Sequence, residues 1–344
     1  MSTNNTTSNA NGTTDPIAVL NAASLMILTL QAPALTFWIG IGLLSCITNS
    51  LIAMTIFKTK TMRSKGVLMM ASVSVGETIV AVAFMITGIR RCWHAYSHTP
   101  ETNKAWINGL HSMVVYFSTT TTSNLMTALS FDRFFSVANP TLYSTRPTIP
   151  YIITMNGICY GFALLLQIFA FVTMEPYKIV PLGTVLSAYS PSFLSYGTLI
   201  GNTTTGILVG FYVLALIILR RRYVTMKAKH DRQQSEWRRK MELGTFKTVI
   251  AILGIYIVFF YSGSIYYVIS VNWMSFQQTI QYGPYWGSHV IINSSFHLFI
   301  YLIMSVTFRK AFIAIICPRL NANVVSAIND ENKPEQVDGV KRKA

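Results

Sequence analysis

The sequence contains little charge and few acids. Asp, Glu, Lys and Arg make up 11% of the 344 residues, whereas about a quarter of the residues in an ordinary soluble domain are charged. The 12 acidic residues are outnumbered by 27 lysines and arginines, which gives a formal net charge of +15. With 51% hydrophobic residues, this composition excludes an ordinary soluble globular domain and indicates a membrane protein.

The apolar residues lie in seven blocks of about twenty or more, the length that crosses a bilayer as a helix. The period-2 alternation of a membrane barrel is absent. We therefore predict an all-α membrane protein, a seven-transmembrane-helix bundle with a short amphipathic cytoplasmic helix after the seventh span. The predicted spans are residues 34–57, 67–89, 105–137, 149–173, 198–219, 245–271 and 285–307. The predicted domains are an amino terminus at 1–33, the bundle with its amphipathic helix at 34–318, and a tail at 319–344 that is too polar to fold alone.

The basic residues lie almost entirely on one side of the predicted bundle. They occupy the tail and the connections that follow the first, third and fifth spans. The residues that fall on the other side are Arg90, Arg91, Lys104 and Lys178. Lys and Arg in short loops mark the cytoplasmic side, so the amino terminus is predicted to be extracellular and the charge does not indicate nucleic-acid binding. Acceptor sequons for N-glycosylation agree with this orientation, and they lie at Asn4, Asn5 and Asn11.

The positions of the four cysteines exclude a disulfide between two outer loops. Cys46 and Cys159 lie within spans, Cys317 is cytoplasmic, and Cys92 is predicted at the outer surface. Residues 308–318 are predicted to form the amphipathic helix on the inner leaflet. Cys317 at its end is a candidate for palmitoylation, and an unmodified thiol is the alternative.

An Asp-Arg-Phe triplet, Asp132 to Phe134, ends the third apolar block. A charged pair is costly beside lipid, so its presence there suggests a function. The triplet follows Ser130 and precedes Pro140 and Tyr143. This order resembles the inner end of the third helix in rhodopsin-like G-protein-coupled receptors.

Polar residues inside the other spans extend the resemblance. Where the family carries Asn, Asp, Ser and an Asn-Pro-x-x-Tyr motif, this chain has Asn49, Glu77, Thr122, and Asn293 and Ser294 followed by His297 and Tyr301. The family holds a sodium ion in this pocket, but an imidazole prefers softer metals or protons. Because an ionisable residue in mid-membrane needs a partner, we hypothesise that Glu77 and His297 share a proton or form an ion pair. A packed polar network with no titrating role is the alternative.

The chain lacks the Trp and Pro that rhodopsin-like receptors carry in the sixth span, where Gly263 and Ile265 stand. This loss, the relaxed third-helix motif and residues 62–65 are similar to the nematode-type serpentine chemoreceptors of the Srsx kind, over residues 49–312. The resemblance implies a multi-pass receptor in the lipid bilayer of the cell membrane that is not an enzyme and needs no cofactor. It would bind an extracellular small molecule or peptide and activate a heterotrimeric G protein through the cytoplasmic ends of helices 3, 5 and 6. The implied coupling switch consists of Asp132, Arg133, Phe134, Tyr212 and Tyr301. The alternative for Arg133 is a structural ion pair with Asp132 at the end of the helix.

Candidate ligand contacts lie in the outer halves of the helices, at Val115, Tyr116, Tyr266 and Tyr267. Val115 occupies the place where amine receptors carry Asp, which argues against a biogenic amine. The rim cations Arg90, Arg91 and Lys104 either attract an anionic ligand or are solvated helix ends.

Two other classes of function are possible for a chain with seven spans. A ligand-gated channel of the odorant-receptor type places its amino terminus inside the cell, opposite to the distribution of basic residues here. An intramembrane metal hydrolase needs carboxylates beside its histidines, and His111, His289 and His297 have no such neighbours in the sequence.

Overall fold

The computed structural model describes residues 16–100, 102–175, 177, 179–181 and 190–228, and residues 250–316 with interruptions. Several predicted sites lie outside the described residues, namely Asn4, Asn5, Asn11, Tyr266, Tyr267 and Cys317.

The described chain is almost entirely helical. Its helices are α1 (Pro16–Lys58), α2 (Lys65–Tyr96), α3 (Ala105–Ala138), α4 (Pro140–Thr145), α5 (Thr148–Val172), α6 (Pro191–Ala228), α7 (His289–Ser295), α8 (His297–Met304) and α9 (Val306–Ile316). A 3-10 turn covers Lys60–Met62, and two short strands are β1 (Thr102–Lys104) and β2 (Ile179–Pro181). Within the sixth predicted span, residues 250–252 and 254–259 are helical. The first five predicted spans each coincide with one long helix, which is α1, α2, α3, α5 or α6.

Among the described residues, four helical stretches are long and apolar enough to span a membrane: Ile17–Lys58, Lys65–Tyr96, Thr148–Val172 and Leu199–Ile218. Helix α3 does not meet this criterion, because residues 118–123 are all Ser or Thr and its last turns carry Asp132 and Arg133. It packs against α2, α5 and α6. Neighbouring helices can satisfy polar groups that lipid cannot, which suits a central helix of this composition. The predicted helical membrane bundle is confirmed.

Helix α1 begins at Pro16 and not at residue 34, the predicted start of the first span. Proline suits the first turn of a helix, where its missing N–H would have no partner, and most of the following residues are good helix formers. The 43-residue helix is about 64 Å long at 1.5 Å per residue, roughly twice the hydrocarbon thickness of a bilayer. The hydropathy pattern identified only the part of α1 that fits within the bilayer, so the predicted first span omitted the turns before residue 34. The additional turns pack against α2, where Leu28 and Ala32 cluster with Ala95.

A two-stranded antiparallel sheet lies at the end of the bundle where α3 begins. Its register pairs Thr102 with Pro181 and Lys104 with Ile179. Strand β1 leads directly into α3, and β2 belongs to the connection between α5 and α6. This connection is therefore tied to the start of α3 by main-chain hydrogen bonds. We call this end the sheet end, and the opposite end, where α3 finishes, the Arg133 end.

Two residues that the sequence places at the outer surface are buried at the sheet end. Cys92 is 7% exposed, and its Sγ lies 3.7 Å from the Thr36 hydroxyl of α1. Arg91, predicted to be a rim cation, is 2% exposed. Both predictions were wrong because α2 continues to Tyr96, so its last turns lie beside the extended α1. The cysteines that the structure describes, Cys46, Cys92 and Cys159, are free.

The predicted seventh span is divided into two helices and ends in a sharp bend. Helix α7 gives way to α8 at Phe296, and α9 leaves the axis at 105° after Ser305. Extended backbone angles at Ser305 end α8. Helix α9 occupies the place of the predicted amphipathic helix, with Phe308 fully buried and Ile316 exposed. The ring of Phe308 lies 5.1 Å from that of Tyr301, which anchors α9 to the bundle.

Candidate functional site

Charged and aromatic side chains converge at the Arg133 end of the bundle. The fully buried carboxylate of Asp132 accepts hydrogen bonds from Arg133, through Nε at 3.0 Å and through Nη2. Tyr143 of α4 donates its hydroxyl to the other carboxylate oxygen at 3.0 Å. Lys65 of α2 lies 4.6 Å above the Tyr143 ring and donates to its backbone carbonyl. We call these four residues, together with Gly66, the arginine cage.

The burial of Asp132 explains why donors surround it. A carboxylate removed from water is costly unless several donors replace the water. Asp132 obtains them from Arg133 and from Tyr143, so the end of α3 and the short helix α4 are held in one geometry. Burial and the negative charge of Asp132 raise the pKa of the Tyr143 phenol, so the phenol remains a donor at physiological pH.

Gly66 forms the floor of the arginine cage. A Cβ atom at this position would lie 1.4 Å from Nη2 of Arg133, far inside contact distance. A residue without a side chain therefore allows the guanidinium to rest against α2. Any larger residue would displace the flexible end of Arg133.

The other predicted switch residues lie around the cage. The ring of Phe134 lies 5.4 Å from that of Phe211 on α6. Tyr212 of α6 and Tyr301 of α8 are buried in one apolar cluster that also contains Leu129 of α3. The five predicted switch residues therefore come from three helices that meet at the Arg133 end.

A second group of polar side chains lies in the interior of the bundle. Nδ2 of Asn49 donates to the backbone carbonyl of Ser45 at 3.0 Å and to that of Ser294 at 3.3 Å. The hydroxyls of Ser45 and Ser294 also form a hydrogen bond. These contacts join α1 to α7 where neither helix can use water.

Glu77 of α2 contacts His297 of α8. Its Oε2 lies 3.0 Å from the imidazole Nδ1, and the two residues are 2% and 1% exposed. The distance is that of an ion pair, but the two groups lack the alignment of a regular hydrogen bond. The structure thus brings together the two residues that the sequence analysis paired. Within the described part of the chain, no three His, Cys, Asp or Glu side chains come together as metal ligands.

A cavity of about 170 Å³ adjoins Glu77. Helices α2 and α3 line one side with Glu77, Thr119, Thr122 and Ser123. The other side is lined by Tyr256, Phe259, His289 and Asn293. The Tyr256 hydroxyl donates to Ser123 Oγ at 3.0 Å, which joins the sixth predicted span to α3. Three residues of the predicted polar network therefore line the cavity: Glu77, Thr122 and Asn293.

The predicted ligand contacts on α3 lie apart from the lining of this cavity. Val115 is 5% exposed, in an apolar cluster with Trp38, Phe84 and Ile291. The ring of Tyr116 packs edge-on against Phe193 of α6, with centroids 5.1 Å apart. Both residues therefore contribute to the packing between helices.

Sequence reasoning did not single out several residues of the two sites. Ser45 precedes Asn49 by one helical turn, and this spacing could have identified it. Gly66 and Tyr256 give no local signal, because their roles depend on which side chain of another helix faces them. Ser123 is one of six consecutive Ser and Thr residues, and composition does not indicate which of them faces the cavity.

We predict that Glu77 and His297 stabilise the fold as a pair. Replacing His297 with Asn leaves the buried carboxylate without its partner and should lower the free energy of unfolding by about 1–3 kcal/mol. Adding Glu77→Gln removes the charge as well, so the double variant should be less destabilised than His297→Asn alone. Thermal unfolding in detergent measures each variant, and strictly additive losses would contradict the pairing. The neutral contact between Asn156 and Ser72, 3.0 Å long, is a control that should show weaker coupling.

The family model for the serpentine type 7TM GPCR chemoreceptor Srsx matches residues 42–316. The matched region contains both the arginine cage and the cavity. No curated protein matches the chain. The predicted resemblance to nematode-type serpentine chemoreceptors is confirmed at the level of this family. The chain therefore belongs to the Srsx family of serpentine seven-transmembrane chemoreceptors, which are G-protein-coupled receptors.

Proposed function

We propose that this chemoreceptor binds an extracellular small molecule or peptide and activates a heterotrimeric G protein. The G protein would contact the Arg133 end, at α3, α6 and the sixth predicted span. Ligand binding would favour a state in which this end of the bundle opens. The proposal includes a relation to rhodopsin-like receptors, which rests on the Asp132-Arg133-Phe134 triplet.

The arginine cage is the observation that carries this proposal. The side chain of Arg133 is 13% exposed and Asp132 is fully buried. An apolar pair of similar volume would often stabilise a bundle as well as a buried ion pair does. Stability alone therefore does not explain the ion pair. If Arg133 can leave Asp132 and bind a partner protein, it gives the bundle an element with two states. Its position at the end of a membrane helix suits contact with a partner outside the bilayer.

The cavity and the cage share helix α3. Thr122 lines the cavity and Arg133 lies about 16 Å further along the helix, at 1.5 Å per residue. Between them, Leu125 and Leu129 belong to an apolar cluster that also contains Tyr256, a residue of the cavity wall. A continuous set of packed side chains therefore lies between the two sites and would carry the coupling between them.

We infer that the sheet end faces the cell exterior. The basic residues of the sequence lie mostly in the tail and in the connections at the Arg133 end, as is usual on the cytoplasmic side. Trp93, Tyr96 and Trp106 at the sheet end are 72%, 68% and 41% exposed. Exposed aromatic residues of this kind are typical of a membrane–water interface.

An antibody against an epitope tag at the amino terminus should stain intact cells. The expectation follows from the retention of Lys and Arg on the cytoplasmic side. A tag at the carboxyl terminus is the matched control and should be stained only after permeabilisation. The reverse pattern would contradict the receptor orientation and favour the ligand-gated channel of the odorant-receptor type.

Replacing Arg133 with Ala should reduce the ligand-stimulated second-messenger response. Loss of a charge-assisted contact with the G protein corresponds to a reduction of about 10- to 100-fold. The assay uses cells that express equal surface amounts of each variant, stimulated with ligand pools. Arg146→Ala is the matched control, because Arg146 lies nearby, packs over the Phe135 ring at 5.3 Å and is outside the cage. A full response in Arg133→Ala would contradict the coupling role.

Replacing Gly66 with Val should raise the signal in the absence of ligand. The new side chain would displace Arg133 from its resting place, and a loss of about 1–2 kcal/mol from the resting state changes the ratio of states roughly 5- to 30-fold. Gly157→Val in α5 is the control, because an added Cβ there meets nothing within 4 Å. Equal basal signals in the two variants at equal surface expression would show that the cage does not hold the resting state.

A further inference from the structure

We propose that the cavity between α2, α3, the sixth predicted span and α7 is the ligand site, and that it takes a neutral apolar compound about the size of benzene or toluene. This inference rests on the proposed function and specifies the ligand of that receptor. Three features of the cavity support it: the atoms of its wall, its fixed aromatic side and its volume.

The wall of the cavity is formed almost entirely by carbon atoms, although many of its residues are polar. The hydroxyl of Thr119 donates to the Val115 carbonyl at 2.7 Å. The hydroxyl of Tyr256 donates to Ser123 Oγ at 3.0 Å. These groups therefore have partners within the protein and do not require a polar ligand.

Three further oxygens of the lining residues are covered by other atoms of the protein. They are Glu77 Oε2, Thr122 Oγ1 and Asn293 Oδ1, which have almost no accessible surface. Oε2 of Glu77 contacts His297 at 3.0 Å, and His297 is outside the described lining of the cavity. A molecule in the cavity gains no hydrogen bond from these oxygens. A polar or ionic ligand would therefore lose its water without a replacement partner.

Two aromatic rings form one side of the cavity and are held in place by the protein. Tyr256 and Phe259 are three residues apart in a helical stretch, so they lie on one face of it. The ring of Phe259 is stacked on that of Phe296, with centroids 6.2 Å apart, and the Tyr256 hydroxyl is bonded to α3. A flat hydrocarbon ring can pack against such a preformed aromatic surface.

The volume of the cavity limits the ligand to a small compound. It is about 170 Å³, close to that of a roughly 150 Å³ apolar protein cavity that contains no water and binds benzene or xenon. A peptide is too large for this space. An empty cavity lowers stability, so a compound of matching size and polarity should stabilise the receptor by filling it.

The location of the cavity connects binding to the proposed signalling. Helix α3 lies on one side and the sixth predicted span on the other, and both elements belong to the end of the bundle that would open. A compound that fits one arrangement of these elements favours that arrangement. A neutral apolar compound is also soluble in lipid, so it can reach the bundle interior without a water-filled path.

Thermal unfolding of the purified full-length receptor in detergent tests the ligand class. Toluene, phenol and benzylamine hydrochloride are compared at equal concentration and pH. Toluene and phenol have the same ring and similar size, and they differ by a methyl and a hydroxyl group. Toluene at roughly ten times its Kd should raise Tm by about 3–6 °C, and the other two compounds should raise it much less. An equal or larger shift with phenol or benzylamine would overturn the apolar ligand.

Two variants with the same added ring test the location of the site. Thr119→Phe fills the cavity and should abolish the Tm shift caused by toluene. Val114→Phe is the matched control, because Val114 lies on the same helix, is 51% exposed and does not line the cavity. Toluene dissolved in the detergent affects both variants alike, so their difference measures binding in the cavity. A full shift in Thr119→Phe would place the compound elsewhere.

An enlarged cavity provides a second test, which covers the case that Thr119→Phe does not fold. Phe259→Ala removes a ring from the wall and leaves additional space. Naphthalene is larger than the compounds that fit the natural cavity, so it should raise the Tm of Phe259→Ala and not that of the unaltered receptor. The same response of both proteins to naphthalene would contradict the location.

Failure of the ligand assignment and failure of the proposed function give different results. If toluene causes no Tm shift but ligand pools still elicit a second-messenger response that requires Arg133, the apolar ligand is wrong and the receptor function stands. If toluene binds in the cavity but no stimulus elicits a response that requires Arg133, the cavity assignment stands and the G-protein coupling is wrong.

Discussion

Two carboxylates buried in the bundle, Asp132 and Glu77, set the positions of the elements around them. In lipid surroundings a carboxylate must find its partners within the protein. Asp132 finds them in Arg133 and in Tyr143, which fixes α4 against the end of α3. Glu77 contacts His297, which fixes α2 against α8. The first carboxylate has several donors and the second has one close partner beside an open cavity.

Close approach between helices is as important as these charges. An added Cβ at Gly76 would lie 3.0 Å from Leu125 and 3.2 Å from Thr122 Oγ1, so α2 and α3 are in near contact beside Glu77. Lipid does not drive helices together as water does, and packing of small residues with polar contacts takes over that role. The bond from Asn156 of α5 to Ser72 of α2, 3.0 Å long, is one such contact.

The sequence was sufficient to predict the helical membrane bundle, the family, and Asp132, Arg133, Glu77 and His297 as candidate site residues. Charged residues in apolar blocks are visible because they differ from the composition around them. Glu77 could be paired with His297 because the family resemblance places the two in one pocket and a buried acid needs a partner. The start of α1 at Pro16 could not be predicted in this way, because hydropathy detects the bilayer and not the end of a helix. Gly66 was also invisible, since only the position of Arg133 on another helix gives it a role. The burial of Arg91 depends on the unpredicted length of α1 and α2.

The sheet between β1 and β2 ties a loop to the start of α3 through main-chain atoms. Backbone N–H and C=O groups are present at almost every residue, whatever its side chain. Side chains near Thr102–Lys104 and Ile179–Pro181 can therefore change during evolution while the tether survives. This rim of the receptor can thus diversify in sequence, and because the attachment contains no cysteine it does not depend on the redox state of its surroundings.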